Sequence, residues 1–294
     1  ARPCTTNCYT FGFRASEQDE CDKLLDLFCF EKSMHYYLYD TFLGDKKYEK
    51  VIDRIKTRLL DLEIQGKHEK LSLLKSIDEL IADEVKRGAN SIIVVGNEKI
   101  FLKVVDAAAK NNVSLGMIPV GENNHLAECL GLPLEEAACD VIAARKIVSF
   151  DLGKVNNQYF FSNLKITKNL DRLSIQKDSY KIVPRADCES VEVVNFYLPP
   201  LGESMERKIK KCSAQDELLE LIIRRKGQKR RWFGGGEKPQ IDSLIQGNEF
   251  AIKSFEYLPA LMDDYRVIKT PIKVEVEPGK LKVIVGKNRL KIIK

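Results

Sequence analysis

"VVGNEKIFLKVV", residues 94–105, passes from β-branched residues through a single glycine into a segment whose apolar positions repeat at helical spacing. Its first residues end "SIIVV" (91–95), a continuous apolar run of the kind that forms a strand buried on both faces of a parallel sheet. Gly96 therefore stands at the carboxyl end of a strand, just ahead of a helix predicted from about Phe101 to Lys110. In open α/β sheets ligands bind at that edge, because backbone N–H groups at a helix start point outward and favour anions.

The same alternation continues on both sides. "HYYLY" (35–39) reads as a short strand, and Tyr48, Val51, Ile52, Ile55, Leu59 and Leu60 then recur on one helical face. A second face is Leu73, Leu74, Ile77, Leu80, Ile81 and Val85, ended by Gly88. After the helix at 101–110 come strand "VSLGMI" (113–118) and two short helices near 124–130 and 134–145. This βαβαβα succession predicts a parallel sheet covered by helices on both sides.

Beyond about residue 147 the texture changes to strand-like segments: "KIVSFDLGKV", "QYFFSNLKI", "YKIVPR" and "SVEVVNFYL". One helix is predicted at "AQDELLELIIRRK" (214–226), and the alternating tail has turns expected at Pro278-Gly279 and Gly286-Lys287-Asn288. The predicted fold class is α/β. An N-terminal parallel α/β nucleotide-binding domain (34–149) is followed by a C-terminal, mostly antiparallel β-sandwich domain (150–294), with the cleft between them. Residues 1–33 form an N-terminal extension with neither a signal peptide's pattern nor an obvious role, and Met34 reads as the start of the folded unit.

Composition bounds the function. The 294 residues are 44% hydrophobic and 31% charged, ordinary for a globular protein, and 48 basic against 43 acidic side chains leave a net charge of +5, too small to argue for nucleic acid. The longest apolar runs are far short of the roughly 20 residues of a helical membrane span, so a cytoplasmic protein, at most peripheral to a membrane, is expected. Four of the eight cysteines fall within the first 29 residues at spacings that fit no common zinc site, and reduced thiols are the simpler reading. The run "RRKGQKRRWF" places Arg224, Arg225, Lys226, Lys229, Arg230 and Arg231 beside Trp232; a solvated loop is the default reading, docking on anionic lipid head groups the functional one, and a grip on nucleic-acid phosphates the less favoured alternative.

Three loops occupy the carboxyl edge of the predicted parallel strands: Asp40–Gly44, Gly96–Ile100 and Pro119–Asn124. The third sits in "MIPVGENNHLAECLGLP" (117–133), which closely resembles the P-x-G-T-x-N-D-x-A-R-x-L-G-I-P segment of the diacylglycerol kinase catalytic-domain family. That family includes sphingosine kinases and bacterial lipid kinases and is related more distantly to NAD kinases. Pro119, Gly121, Asn124, Ala127, Leu130, Gly131 and Pro133 stand where the pattern wants them. "YDTFLG" sits at the family's N-P-x-S-G, keeping Gly44 with Asp40-Thr41 in place of Asn-Pro. "FDLGKVNNQYFFSN" (150–163) resembles the opening of the family's β domain, and "FAIKSFEYLPALMDDYRV" (250–267) its late strand pair ending in Asp-Gly-Glu.

The resemblance implies an ATP-dependent, Mg²⁺-requiring kinase that phosphorylates a hydroxyl of a lipid such as diacylglycerol. The family's Gly-Gly-Asp-Gly-Thr turn falls on Gly96, Asn97, Glu98, Lys99 and Ile100, so one glycine and one acid survive. On this reading Asp40, Gly44, Gly96, Asn97, Glu98, Lys99, Gly121 and Asn124 hold the nucleotide, Glu98 serves the metal, and Asp263 is the base that deprotonates the acceptor. Asn97 is expected to keep a left-handed turn at modest cost and Lys99 to place a point charge on phosphate, while Glu122, in place of the family's Thr, invites an ion pair with Lys99. The altered turn, and Asp263-Asp264-Tyr265 in place of Asp-Gly-Glu, keep open a non-catalytic descendant that binds a nucleotide, lipid or partner without turnover. An NAD kinase-like activity is a distant third.

Overall fold

The strand that ends in Gly96 lies inside a parallel sheet, as its two-sided apolar composition requires. In the computed structural model, which describes residues 34–72, 76–122, 124–196, 213–226 and 240–289, strands β1 (Met34–Tyr39), β2 (Gly66–Lys70), β3 (Ala89–Gly96) and β4 (Ser114–Pro119) run parallel in the order β2-β1-β3-β4. Helices cover both faces. α1 (Glu49–Asp61) buries Ile52, Ile55 and Leu59 on one face. On the other, α2 (Ile77–Lys86) and α3 (Glu98–Lys110) bury Ile81, Phe101, Val104 and Val105. α4 (His125–Leu130) joins the face of α3, and α5 (Ala138–Ala144) joins that of α1. Leu60, assigned to the buried stripe of α1, is 57% exposed, and Leu73 and Leu74 lie outside the described residues.

The remaining strands are β5 (Ile147–Val155), β6 (Gln158–Phe160), β7 (Asn163–Ile166), β8 (Leu173–Lys177), β9 (Tyr180–Ile182), β10 (Cys188–Val194), β11 (Leu219–Arg225), β12 (Gln240–Gly247), β13 (Glu249–Ser254), β14 (Pro259–Met262), β15 (Arg266–Lys269) and β16 (Ile272–Ile284). An antiparallel sheet has the order β12-β11-β10-β7-β14-β15. It packs through Leu164, Val191, Val193, Leu221 and Met262 against Ile175, Phe250, Ile252 and Val274 of the first sheet's far half. The fold is thus a parallel α/β layer joined to a mostly antiparallel β part. β16 joins them: it pairs parallel with β4 and antiparallel with β5 and β13. The domain boundary expected at 149/150 falls inside β5.

Two local expectations are corrected, and one strand was not anticipated. The helix at 214–226 is strand β11, interior to its sheet and flanked by β10 and β12. Leu219, Leu221 and Ile223 face one core and Ile222 the other, and apolar residues on both faces erase the period of two that marks a half-exposed strand. Pro278-Gly279 makes no hairpin turn but a bulge inside β16, where the register shifts between Glu277 and Leu281. Gly279 sits at φ +57°, and its amide, freed from the ladder, donates to Asp151 Oδ1 at 2.8 Å. β2, "GKHEK", gave no strand signal because it is a charged edge strand, held through main-chain pairing with β1.

Candidate functional site

The turns after β3 and β4 are adjacent. Gly96 is in register with Pro119, and the Val120 amide donates to the Gly96 carbonyl at 2.9 Å. The turn after β1 joins them through the Asp40 amide, which donates to the Val95 carbonyl at 3.0 Å. Gly96 has φ +152°, and a Cβ there would lie 2.9 Å from Asp40 Cβ and 3.0 Å from Ile100 Cγ2. Glycine is required here by the close approach of three chain segments. Gly121, at φ +82°, lies under the Phe42 ring, and Asn124 Nδ2 donates to its carbonyl at 2.8 Å. Asp40, Gly96, Asn97, Glu98, Gly121 and Asn124 are therefore brought together, whereas Gly44 ends the 3-10 turn Thr41–Gly44 with open space around it.

Both helix starts at this edge already carry an internal acceptor. Asn97 is not left-handed but extended (φ −95°, ψ −179°), and caps α3 by accepting the Lys99 amide on Oδ1 at 3.1 Å. Lys99 is a helical residue of the first turn, with its side chain in solvent. Glu98 reaches across to α4, where Oε2 accepts the Leu126 amide at 3.3 Å. The expected Lys99–Glu122 pair is not formed: neither residue has an ion-pair partner among the described residues, and both are exposed. Two polar atoms at the same edge stay buried without a hydrogen bond, Asn124 Oδ1 and His125 Nε2.

Asp263 lies elsewhere, in the turn between β14 and β15, and is 4% exposed. Its carboxylate accepts three consecutive backbone amides of the β6–β7 connection: Phe161 on Oδ2 (2.9 Å), and Ser162 (2.7 Å) and Asn163 (3.2 Å) on Oδ1. Burial raises its pKa to about 7 despite the opposing pull of those amides, with Asp264 adding to the rise. Asp263 and Asp264 both have positive φ, +48° and +57°, and the neighbouring Tyr265 hydroxyl is buried without a partner.

One residue missed in the sequence ties this turn to the edge formed by the β3 and β4 turns. Asp106, 1% exposed on α3, accepts the Tyr159 amide on Oδ1 (3.0 Å), and Lys110 Nζ (3.0 Å) and Arg266 Nη1 (2.9 Å) on Oδ2. A lone acid among Phe101, Leu102, Val104, Val105 and Ala107 was the available signal, since a buried carboxylate needs partners. Helix α3 thus holds Glu98 at one end and, two turns on, about 12 Å by helical rise, anchors the strand that follows Asp263.

The basic run is largely neutralised where it is described. Arg224 pairs with Glu192 (3.4 Å), and Arg225 with Asp187 (3.5 Å) and Asp242. Both guanidinium groups thus already have acidic partners; Lys229, Arg230, Arg231 and Trp232 lie outside the described residues. Among the described residues no helix is long and apolar enough to cross a membrane, and Cys129, Cys139 and Cys188 are buried free thiols.

A parallel sheet with three turns gathered at its carboxyl edge, joined to an antiparallel sheet with an acidic turn, defines an α/β fold with a candidate anion site. Comparison with known proteins makes that class specific. Residues 36–155 match the family described as "Diacylglycerol kinase catalytic domain", which bears out the resemblance read from the sequence. A diacylglycerol kinase of Staphylococcus haemolyticus is 35% identical over 98 residues, 32% of this chain and 29% of that protein. One from Bacillus subtilis is 37% identical over 75 residues, 24% of this chain and 25% of that protein. The matches to these two relatives thus span less than a third of their lengths. In fold the likeness is broader. The crystal structure of a diacylglycerol kinase from Bacillus anthracis superposes with a TM-score of 0.70 at 16% identity, covering 88% of this chain and 98% of that one.

Proposed function

We propose that this protein is a lipid kinase-like phosphotransferase that moves the γ-phosphoryl group of ATP to a hydroxyl of a lipid such as diacylglycerol. The observation that carries this reading is the junction of the β3 and β4 turns, where Val120 donates to Gly96 and Glu98 reaches Leu126, inside the segment that matches the family. Main-chain amides around Gly96 and Gly121 take the phosphates, with Lys99 supplying a point charge from the first turn of α3. Asn124 Oδ1, buried and without a donor, suits a ligand that brings one.

Mg²⁺, when bound with the nucleotide, neutralises charge developing on the phosphates. The donor set fits it: Glu98 and Asp40 flank the turn, and Mg²⁺ in nucleotide sites takes one or two carboxylates plus substrate phosphates. Asp263 is the proposed general base, and a carboxyl with a pKa of about 7 suits proton transfer at neutral pH. To act, it has to release an oxygen from the three amides that hold it. That enclosure favours a second reading, a nucleotide- or lipid-binding descendant without turnover; an NAD kinase-like activity has no residue here to favour it.

ADP release in the presence of Mg·ATP and dispersed diacylglycerol separates these readings. Turnover that falls about 10²-fold or more in Asp263→Asn, with the fold intact by circular dichroism, supports the base. Nucleotide binding without lipid-dependent ADP release supports the binder.

A further inference from the structure

The connection between β13 and β14 puts two aromatic side chains into solvent. Phe255 is 101% exposed and Tyr257 77%, so almost nothing packs on either. The loop beneath them is nevertheless firmly built. Thr270, 1% exposed, accepts the Leu258 amide on Oγ1 at 2.8 Å and shares a hydrogen bond with Ser254 Oγ at 2.5 Å, and the Glu256 carbonyl lies within hydrogen-bond reach of this hydroxyl pair. Arg172 pairs with Glu256 and so cancels the loop's acid. Lys253 and Lys269, on the strands that enter and flank the loop, are exposed. The result is an ordered loop that exposes a phenyl and a phenol ring, flanked on its strands by two exposed lysines that have no ion-pair partner among the described residues.

From this we infer that the Phe255–Tyr257 tip anchors the protein on an anionic lipid surface. A groove would receive a helix or a second copy, but a protruding pair of rings has no concavity to bury a partner's side chain, and inserts instead into a fluid interface. Phe enters the acyl boundary, and Tyr sits at head-group depth with its hydroxyl wet. Lys253 and Lys269 lie where lipid phosphates would meet them. The anchor uses residues other than the basic run at 224–232 and is independent of phosphotransfer, so it is measured without nucleotide.

The test is co-sedimentation with phosphatidylcholine vesicles containing roughly a third phosphatidylglycerol, at moderate salt. The full chain should bind these vesicles and bind pure phosphatidylcholine vesicles weakly. Phe255→Ala with Tyr257→Ala should reduce binding about tenfold or more with an unchanged melting temperature, since neither ring packs in the fold. Lys253→Glu with Lys269→Glu should remove the preference for anionic lipid. Absent binding by the wild type, unchanged binding by the aromatic double variant, or a concentration-dependent dimer that this variant abolishes would each overturn the anchor.

Discussion

The turns after β3 and β4 and the turn between β14 and β15 treat their polar groups in opposite ways. At the first site Asn124 Oδ1 and His125 Nε2 are buried and unpaired, and the helix starts carry single, long bonds from Asn97 and Glu98. At the second, each Asp263 oxygen is met by at least one of three backbone amides. The first edge is left incomplete in the way a ligand completes, while the second is a finished clamp that fixes the β6–β7 connection. The two turns that the proposed function assigns to one reaction therefore differ in readiness, and α3, with Glu98 and Asp106, is the element they share.

The largest effect should come from breaking the clamp. Asp263→Ala leaves three amides without their acceptor and is expected to lower unfolding free energy by about 4 kcal/mol in urea titration. A loss under about 1 kcal/mol would mean the turn is not a clamp. The same carboxyl gives a pH signature. Its folded pKa, about 7, lies above the unfolded value, so its contribution is full below about pH 4 and is lost as pH rises through about 7. The stability advantage of wild type over Asp263→Asn should narrow across that interval. His35 acts oppositely: burial, aided by Arg145, lowers its pKa to about 4, so its contribution is present above about pH 6.5 and lost as pH falls through about 4. The comparison with Asp263→Asn removes that background.

Next in size, Asp106→Ala should cost about 3 kcal/mol, because it strands Arg266 and the Tyr159 amide. If α3 couples the two sites, this variant should also slow any lipid-dependent turnover while leaving ATP affinity nearly unchanged. An equal loss of ATP affinity would put Asp106 in the nucleotide site instead. Smallest is Asn97→Ala, which removes only the α3 cap and is expected to cost about 1 kcal/mol by thermal denaturation. Because it frees the Lys99 amide, it should preserve or tighten ATP binding.

Legibility in the sequence followed local physics. "SIIVV", the stripe of α1 and the 117–133 segment announced the parallel sheet and its edge, because each is written within a few consecutive residues. β11 was misread because burial on both faces removes its period, and β2 because its polar side chains engage through hydrogen bonds and ion pairs to distant residues and leave no apolar alternation. The substituted turn was legible as a departure but not as a geometry: Asn97 adopts an extended cap where a left-handed turn was expected. Contacts between distant segments had no local signal. Asp106 meets Arg266 across 160 positions, and Asp263 meets Phe161 across 102.

Calorimetric titration of Mg·ATP into the wild-type protein and Glu98→Ala tests the proposed nucleotide edge itself. Saturable binding with Kd at or below about 1 mM, weakened severalfold in the variant, is the expected result. No heat of binding at millimolar ATP, or identical affinity in Glu98→Ala, would contradict it.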